Sequence, residues 1–183
     1  MTRIRLFPLV AFAVLASAAP PPATAQTPPR PSDPRVKEFA AYADQAVRQL
    51  DSLRKRSVTI ETGTRRGGVI TGYYNGTAFM ALSMTIRMAN RDDMTRYLFR
   101  GGRTVVIDIV DIPLDPKRRT PRIGDRRLKA RYLLISVGTR YVIHSPTERF
   151  QPITEQERHL LDNIMANLPR YRALLAGRRY PAR

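Results

Sequence analysis

Ala78-Phe79-Met80-Ala81-Leu82-Ser83-Met84-Thr85-Ile86-Arg87-Met88 decides the fold of this 183-residue chain. Ala78, Met80, Leu82, Met84, Ile86 and Met88 fall at every second position, with Phe79, Ala81, Ser83, Thr85 and Arg87 between them. Side chains of a strand point to opposite faces in turn, so this period of two predicts a half-buried β-strand.

The neighbouring sequence repeats the pattern in both directions. Upstream, Asn75-Gly76 tolerates positive φ at both positions and predicts a tight hairpin joining this strand to Val69–Tyr74. Before that, Val58, Ile60 and Thr62 alternate from Ser57 onward, and Arg65-Arg66-Gly67-Gly68 predicts a turn. Downstream, Asn90 to Asp93 is expected to turn the chain into Met94–Phe99, and Arg100-Gly101-Gly102-Arg103 into Thr104–Ile112. Val105 to Val110 is nearly all apolar, which predicts a central strand covered on both faces. Leu128–Val137 and Tyr141–His144 follow, joined through Gly138-Thr139. Short hairpins joining strand to strand predict an antiparallel meander of about six or seven strands.

A helix is expected at each end of this run. Asp33-Pro34 reads as a capping carboxylate followed by proline in the first turn. Val36, Phe39, Ala43, Val47, Leu50 and Leu53 then form an apolar stripe, and Arg54-Lys55-Arg56 suits the negative end of the helix dipole. At the other end Thr154-Glu155-Gln156-Glu157 spells a capping box ahead of Leu160, Leu161, Ile164, Met165 and Leu168. Pro169 should end or kink that helix, with Tyr171, Leu174 and Leu175 adding a turn. The expected class is therefore α+β: a single antiparallel meander over residues 34–175, its Met80/Leu82/Met84 face packed against an N-terminal and a C-terminal helix.

The residues before the domain read as an export signal. Arg3 and Arg5 precede an apolar run from Leu6 to Ala19, and Ala23-Thr24-Ala25 offers a small-x-small cleavage site. The run is shorter than the ~20 residues a spanning helix requires. Residues 1–25 are thus expected to be a signal peptide cleaved near Ala25, placing a bacterial chain in the periplasm or outside the cell with no membrane span. Prolines at 28, 29 and 31 mark 26–33 as an extended linker. Residues 176–183 read as a disordered basic tail.

Charge is the most unusual property. Lys+Arg number 32 against 15 Asp+Glu, a net +17; loss of Arg3 and Arg5 leaves +15. Such a field attracts polyanions at low salt. Only Lys37, Lys55, Lys117 and Lys129 are lysines. The arginine bias has two readings, guanidinium forks that grip phosphate or carboxylate, or codon bias in a GC-rich genome. The densest cluster lies in the proline-stiffened stretch from Pro113 to Arg126, where Lys117, Arg118, Arg119, Arg122 and Arg126 face only Asp115 and Asp125. Loops of this length are unusual in compact domains and often functional, so these five residues are the candidate anion- or partner-binding site. The Arg65-Arg66 turn and Arg178-Arg179-Tyr180 extend the patch only if folding brings them to it. Aromatic residues are too sparse among these cations for nucleic-acid stacking.

Catalytic and metal chemistry find little purchase. The chain has no cysteine and two histidines, which excludes disulfides, thiolate zinc sites and cysteine nucleophiles. Met80, Met84, Met88 and Met94 invite a copper(I) site, but residues four apart on a strand are separated by roughly 13 Å, and methionine is an ordinary core filler. No metal or cofactor is expected. His144 and His159 stand outside HExxH, and no GxSxG elbow is present. Asp92-Asp93 reads as a turn whose side chains diverge. Asp108 is an odd charge within an apolar strand, read as a salt bridge on the open sheet face or, paired with Glu61, as a cleft carboxylate. Tyr73-Tyr74-Asn75-Gly76 and Tyr97-Leu98-Phe99-Arg100-Gly101 both set aromatics before a glycine turn, read as repeated hairpin chemistry.

The sequence therefore predicts an exported, non-enzymatic binding domain whose basic loop meets an anionic envelope polymer, a membrane surface or a protein partner. The alternatives are an envelope hydrolase using Asp108, His144 or Glu61, and a small-ligand carrier with a cleft on the sheet.

Overall fold

The computed structural model describes residues 34–115, 117, 120–136, 139–144 and 149–177. The signal peptide with its cleavage site, the linker, Asp33, Arg118, Arg119 and residues 178–183 of the tail lie outside these described residues.

Helix α1 (Pro34–Gln49) leads through a single 3-10 turn at Leu50–Ser52 into β1 (Arg54–Ile60). Arg54, Lys55 and Arg56 thus begin a strand instead of closing the helix. The hairpins continue through β2 (Gly68–Asn75), β3 (Ala78–Arg87), β4 (Arg91–Arg100) and β5 (Arg103–Pro113). After the basic loop come β6 (Arg127–Ser136), β7 (Thr139–His144) and β8 (Phe150–Pro152). All eight strands form one antiparallel sheet in chain order, two more than the lower sequence count. The addition is β8, three residues ending in a proline. The turn expected at Asn90 to Asp93 is shorter, and Asp92 and Asp93 lie within β4 on opposite faces.

Helices α2 (Glu155–Ala166) and α3 (Leu168–Leu175) complete the chain. Thr154 forms the expected capping box with Glu157. Pro169 sits in the first turn of α3, where its missing N–H costs no helical bond, so the break falls at Asn167.

The helices cover opposite faces of the sheet, which corrects the expectation that both pack on the Met80/Leu82/Met84 face. Leu161, Leu168 and Leu175 from α2 and α3 bury against Ile70, Leu82, Tyr97, Phe99, Ile107, Tyr132 and Val142, with Met84 at the margin. Val36, Ala43 and Leu50 bury on the other side against Ala81, Leu98, Val106, Leu133 and Tyr141. Two bulges explain part of the difference. The register slips between Tyr73 and Tyr74, so Met80 has no partner on β2 and Phe79 joins the face of Leu82. A second slip at Leu98/Phe99 leaves Val105 as the extra residue of β5.

Gly72 leaves room on the sheet for the Leu175 side chain of α3. A Cβ there would stand 2.9 Å from Leu175 Cδ1 and 3.0 Å from the Phe79 ring, so a side chain would force the Leu175 tip or the ring to shift.

Candidate functional site

Three polar features stand out from this frame. The first is buried at Ser83, Arg96, Asp108 and Arg131. Ser57, Thr71, Ser83, Arg96, Asp108 and Arg131 occupy one cross-strand row on the α1 face, from β1 to β6. Asp108 is fully buried, and Arg131 grips it with Nε to Oδ1 at 2.8 Å and Nη2 to Oδ2 at 3.2 Å. The remaining Nη1 of Arg131 donates to Asp44 on α1. Arg96 reaches Asp108 Oδ2 at 3.6 Å. Burial works to lower the pKa of both arginines. In Arg131 the carboxylates of Asp108 and Asp44 outweigh it and raise the value, whereas in Arg96 the single carboxylate does not. No side-chain nitrogen or oxygen buried among the described residues lacks a partner. Asp108 is thus the salt bridge that sequence reasoning named, but beneath a helix instead of on an open face.

This placement separates the hydrolase trio. His144 pairs with Ala130 in register, on the α2 side, and holds Glu157 at 2.8 Å. Asp108 faces α1. Glu61 follows β1, four strands from β5, or about 19 Å at ordinary strand spacing. His159 and Glu155 approach to 4.0 Å on exposed α2. No group of three His, Asp or Glu that could hold a metal ion occurs among the described residues. The methionines disperse: Met94 is buried with Val110 and Ile112, Met84 borders the α2/α3 core, and Met80 and Met88 line clefts at opposite ends of the sheet.

The second feature is the basic loop. Leu114 bridges Pro121, Arg122 N donates to Pro113 O at 2.9 Å, and Asp115 N to Thr120 O at 2.9 Å. The loop is therefore a small hairpin with Lys117 exposed at its tip. Arg122 is held at its base by Asp125 at 3.4 Å and Asp115 at 3.9 Å. Exposed Arg126 closes the loop near Asp51, whose pKa is lowered first by Lys55 and secondarily by Arg126. The Arg65-Arg66 turn joins this end of the sheet. Arg66 donates to Met88 O at 2.7 Å and pairs with buried Asp92 at 3.2 Å, and Leu114 N donates to Asn90 O at 3.3 Å. Three turns are thereby laced together at this end of the sheet, the β3–β4 turn lying between the Arg65-Arg66 turn and the loop. The tail departs from α3 at the other end, where Gly177 lies beside Arg56.

The third feature is a cleft of about 770 Å³ at that other end, between the Asn75-Gly76 and Gly101-Gly102 turns and the last turn of α3. Tyr74, Phe79 and Phe99 build one wall, with centroids 5.2 and 5.0 Å apart in succession. The Arg172 guanidinium lies 4.5 Å from the Phe99 ring centre and 5.3 Å from that of Phe79. Tyr42 closes the opposite side, its hydroxyl donating to Phe99 O at 2.6 Å. Burial raises the Tyr42 pKa, with Arg100 opposing. Arg100 itself is held by Glu38. Gly101 and Gly102 have φ of 57° and 76°, so the rim carries no side chain there. The carrier alternative expected a cleft on the sheet, but not its place here or its arginines. The cleft's signal was the repeated aromatic-glycine pattern, since Tyr74 and Phe99, set before their glycine turns, line it.

No protein-family profile, curated protein or solved structure matches the chain. No helix of the described residues is long and apolar enough to cross a membrane.

Proposed function

We propose that this chain is an exported, non-catalytic binding domain that meets an anionic envelope component through the loop end of its sheet. The observation that carries the reading is the lacing of three turns there, which gathers Arg65, Lys117, Arg122 and Arg126 at one end. Arg118 and Arg119 adjoin Lys117 in sequence and add to the same charge. A cationic surface on a chain of net +15 draws phosphate- or carboxylate-rich surfaces over a Debye length, and salt weakens it. The leader at 1–25 supports a periplasmic or secreted site of action.

The test replaces Lys117, Arg118, Arg119 and Arg122 with serine and follows co-sedimentation with phosphatidylglycerol vesicles as salt rises. A soluble polyanion, heparin, runs in parallel to separate a lipid surface from a polymer. Weaker binding with a shallower salt dependence is expected on at least one of the two. Unchanged binding to both rejects the loop's role.

A second reading, a carrier of a small ligand, draws on the cleft at the opposite end of the sheet, whose volume lies in the usual range for ligand sites.

A further inference from the structure

We infer that the cleft between the Asn75-Gly76 and Gly101-Gly102 turns binds a small amphiphilic anion: an apolar body bearing one carboxylate or phosphate. The inference rests on the carrier reading and names its ligand.

The lining divides by chemistry. Tyr74, Phe79, Met80 and Phe99 supply an apolar wall, and Arg56, Arg100 and Arg172 supply three guanidinium groups. The residues lining the cleft include no carboxylate. Arg100 is already neutralised by Glu38, but Arg56 and Arg172 form no ion pair among the described residues. A cation left without a carboxylate beside an apolar wall is complementary to an anion with an apolar body. Cation–π contact with Phe79 and Phe99 holds the Arg172 guanidinium at the cleft, so less order is lost when its N–H groups take a carboxylate or phosphate. Arg56 stands in register with Gly72, on the face where α3 packs, which places its charge on the side of Arg172.

The size of the cleft sets the occupant. About 770 Å³ accommodates a single-chain or single-ring molecule, whereas a two-chain lipid exceeds it. The free anion is therefore the proposed ligand, not a membrane surface. The cleft and the loop lie at opposite ends of β5, whose 11 residues separate them by roughly 30 Å. The two sites are thus independent.

Titration calorimetry of the mature chain tests this with decanoate and decyl phosphate, each below its micelle concentration. Decyl maltoside and decyltrimethylammonium serve as neutral and cationic counterparts. Saturable one-to-one binding of an anion is expected, at least about ten-fold tighter than of either counterpart. Arg56→Gln with Arg172→Gln should weaken it by a similar factor while the circular dichroism spectrum stays that of the folded parent. Ala78→Trp, an exposed cleft position, should block the body of the ligand whatever its charge, and the loop serine variant should bind as the parent does. Equal binding of decyl maltoside overturns the anion and leaves a carrier of apolar ligands. Binding of none of the four overturns the carrier reading as well. Association with phosphatidylglycerol vesicles that requires Arg56 and Arg172, without decanoate or decyl phosphate binding, overturns the proposal in favour of a membrane surface.

Discussion

Asp108 and Arg131 are register partners on β5 and β6, joined by two hydrogen bonds under α1 with Asp108 wholly out of solvent. Removing one member leaves the other charge buried and uncompensated. Asp108→Ala should therefore lower stability by about 3–5 kcal/mol in urea unfolding, with Arg96 losing its carboxylate too. Asp44, the more exposed partner, should cost about 1 kcal/mol or less when changed to Ala. Equal losses at the two positions would contradict this arrangement.

Gly72 and Leu175 give a second prediction. Gly72→Ala sets a methyl group into the gap that α3 needs, and should cost about 1–3 kcal/mol. Leu175→Ala empties the same space and should cost about 2–5 kcal/mol alone. Because each change relieves the other, the double variant should be less destabilised than the sum. Strict additivity in a chemical-denaturation cycle would show that the two do not meet.

Thr154 accepts from Glu157 N at 3.2 Å, while Glu157 Oε2 accepts from Thr154 N at 2.8 Å. Thr154→Ala should cost about 1 kcal/mol by thermal unfolding, and Thr154→Ser almost nothing. A serine variant as unstable as the alanine variant would assign the cost to the lost methyl group.

The alkaline limb of stability should be steep. Burial raises the Tyr97 phenol well above its ordinary value of 10.0, and raises Tyr132 and Tyr171 as well. Above pH 10 the unfolded chain has lost these protons while the folded chain keeps them, so stability is intact below pH 10 and falls as pH rises. Tyr97 alone adds a slope approaching about 1.4 kcal/mol per pH unit above pH 10. Tyr97→Phe should flatten this limb while losing the bond to Ile164 O. An unchanged alkaline slope would place the Tyr97 hydroxyl in water.

Much of this architecture was legible in single residues. The alternation from Leu82 to Arg87, the Asn75-Gly76 and Gly101-Gly102 turns and the Thr154 box all encode local geometry, and each formed where its chemistry placed it. The bulge at Met80 was not legible, because an unpaired residue depends on the partner strand. Nor was β8, since three residues ending in proline carry no period. The opposite placement of the helices had one visible cue, the apolar run Val105–Val110, which needs cover on two sides. The lacing of the Arg65-Arg66 turn to the loop joins residues distant in sequence, so only folding reveals it. The Arg56/Arg172 cleft was hidden for the same reason.

A sheet in which every strand pairs with its predecessor assembles in the order of synthesis, because no strand waits for a distant mate. The exception is its seal. Tyr97, Phe99 and Tyr132 bury against α2 and α3, the last parts of the domain to be made. A nascent chain that has completed every hairpin therefore still presents a bare aromatic flank. A premature stop after Pro152 would yield a sticky intermediate instead of a smaller folded protein, and the final helices decide when the molecule becomes safe to release.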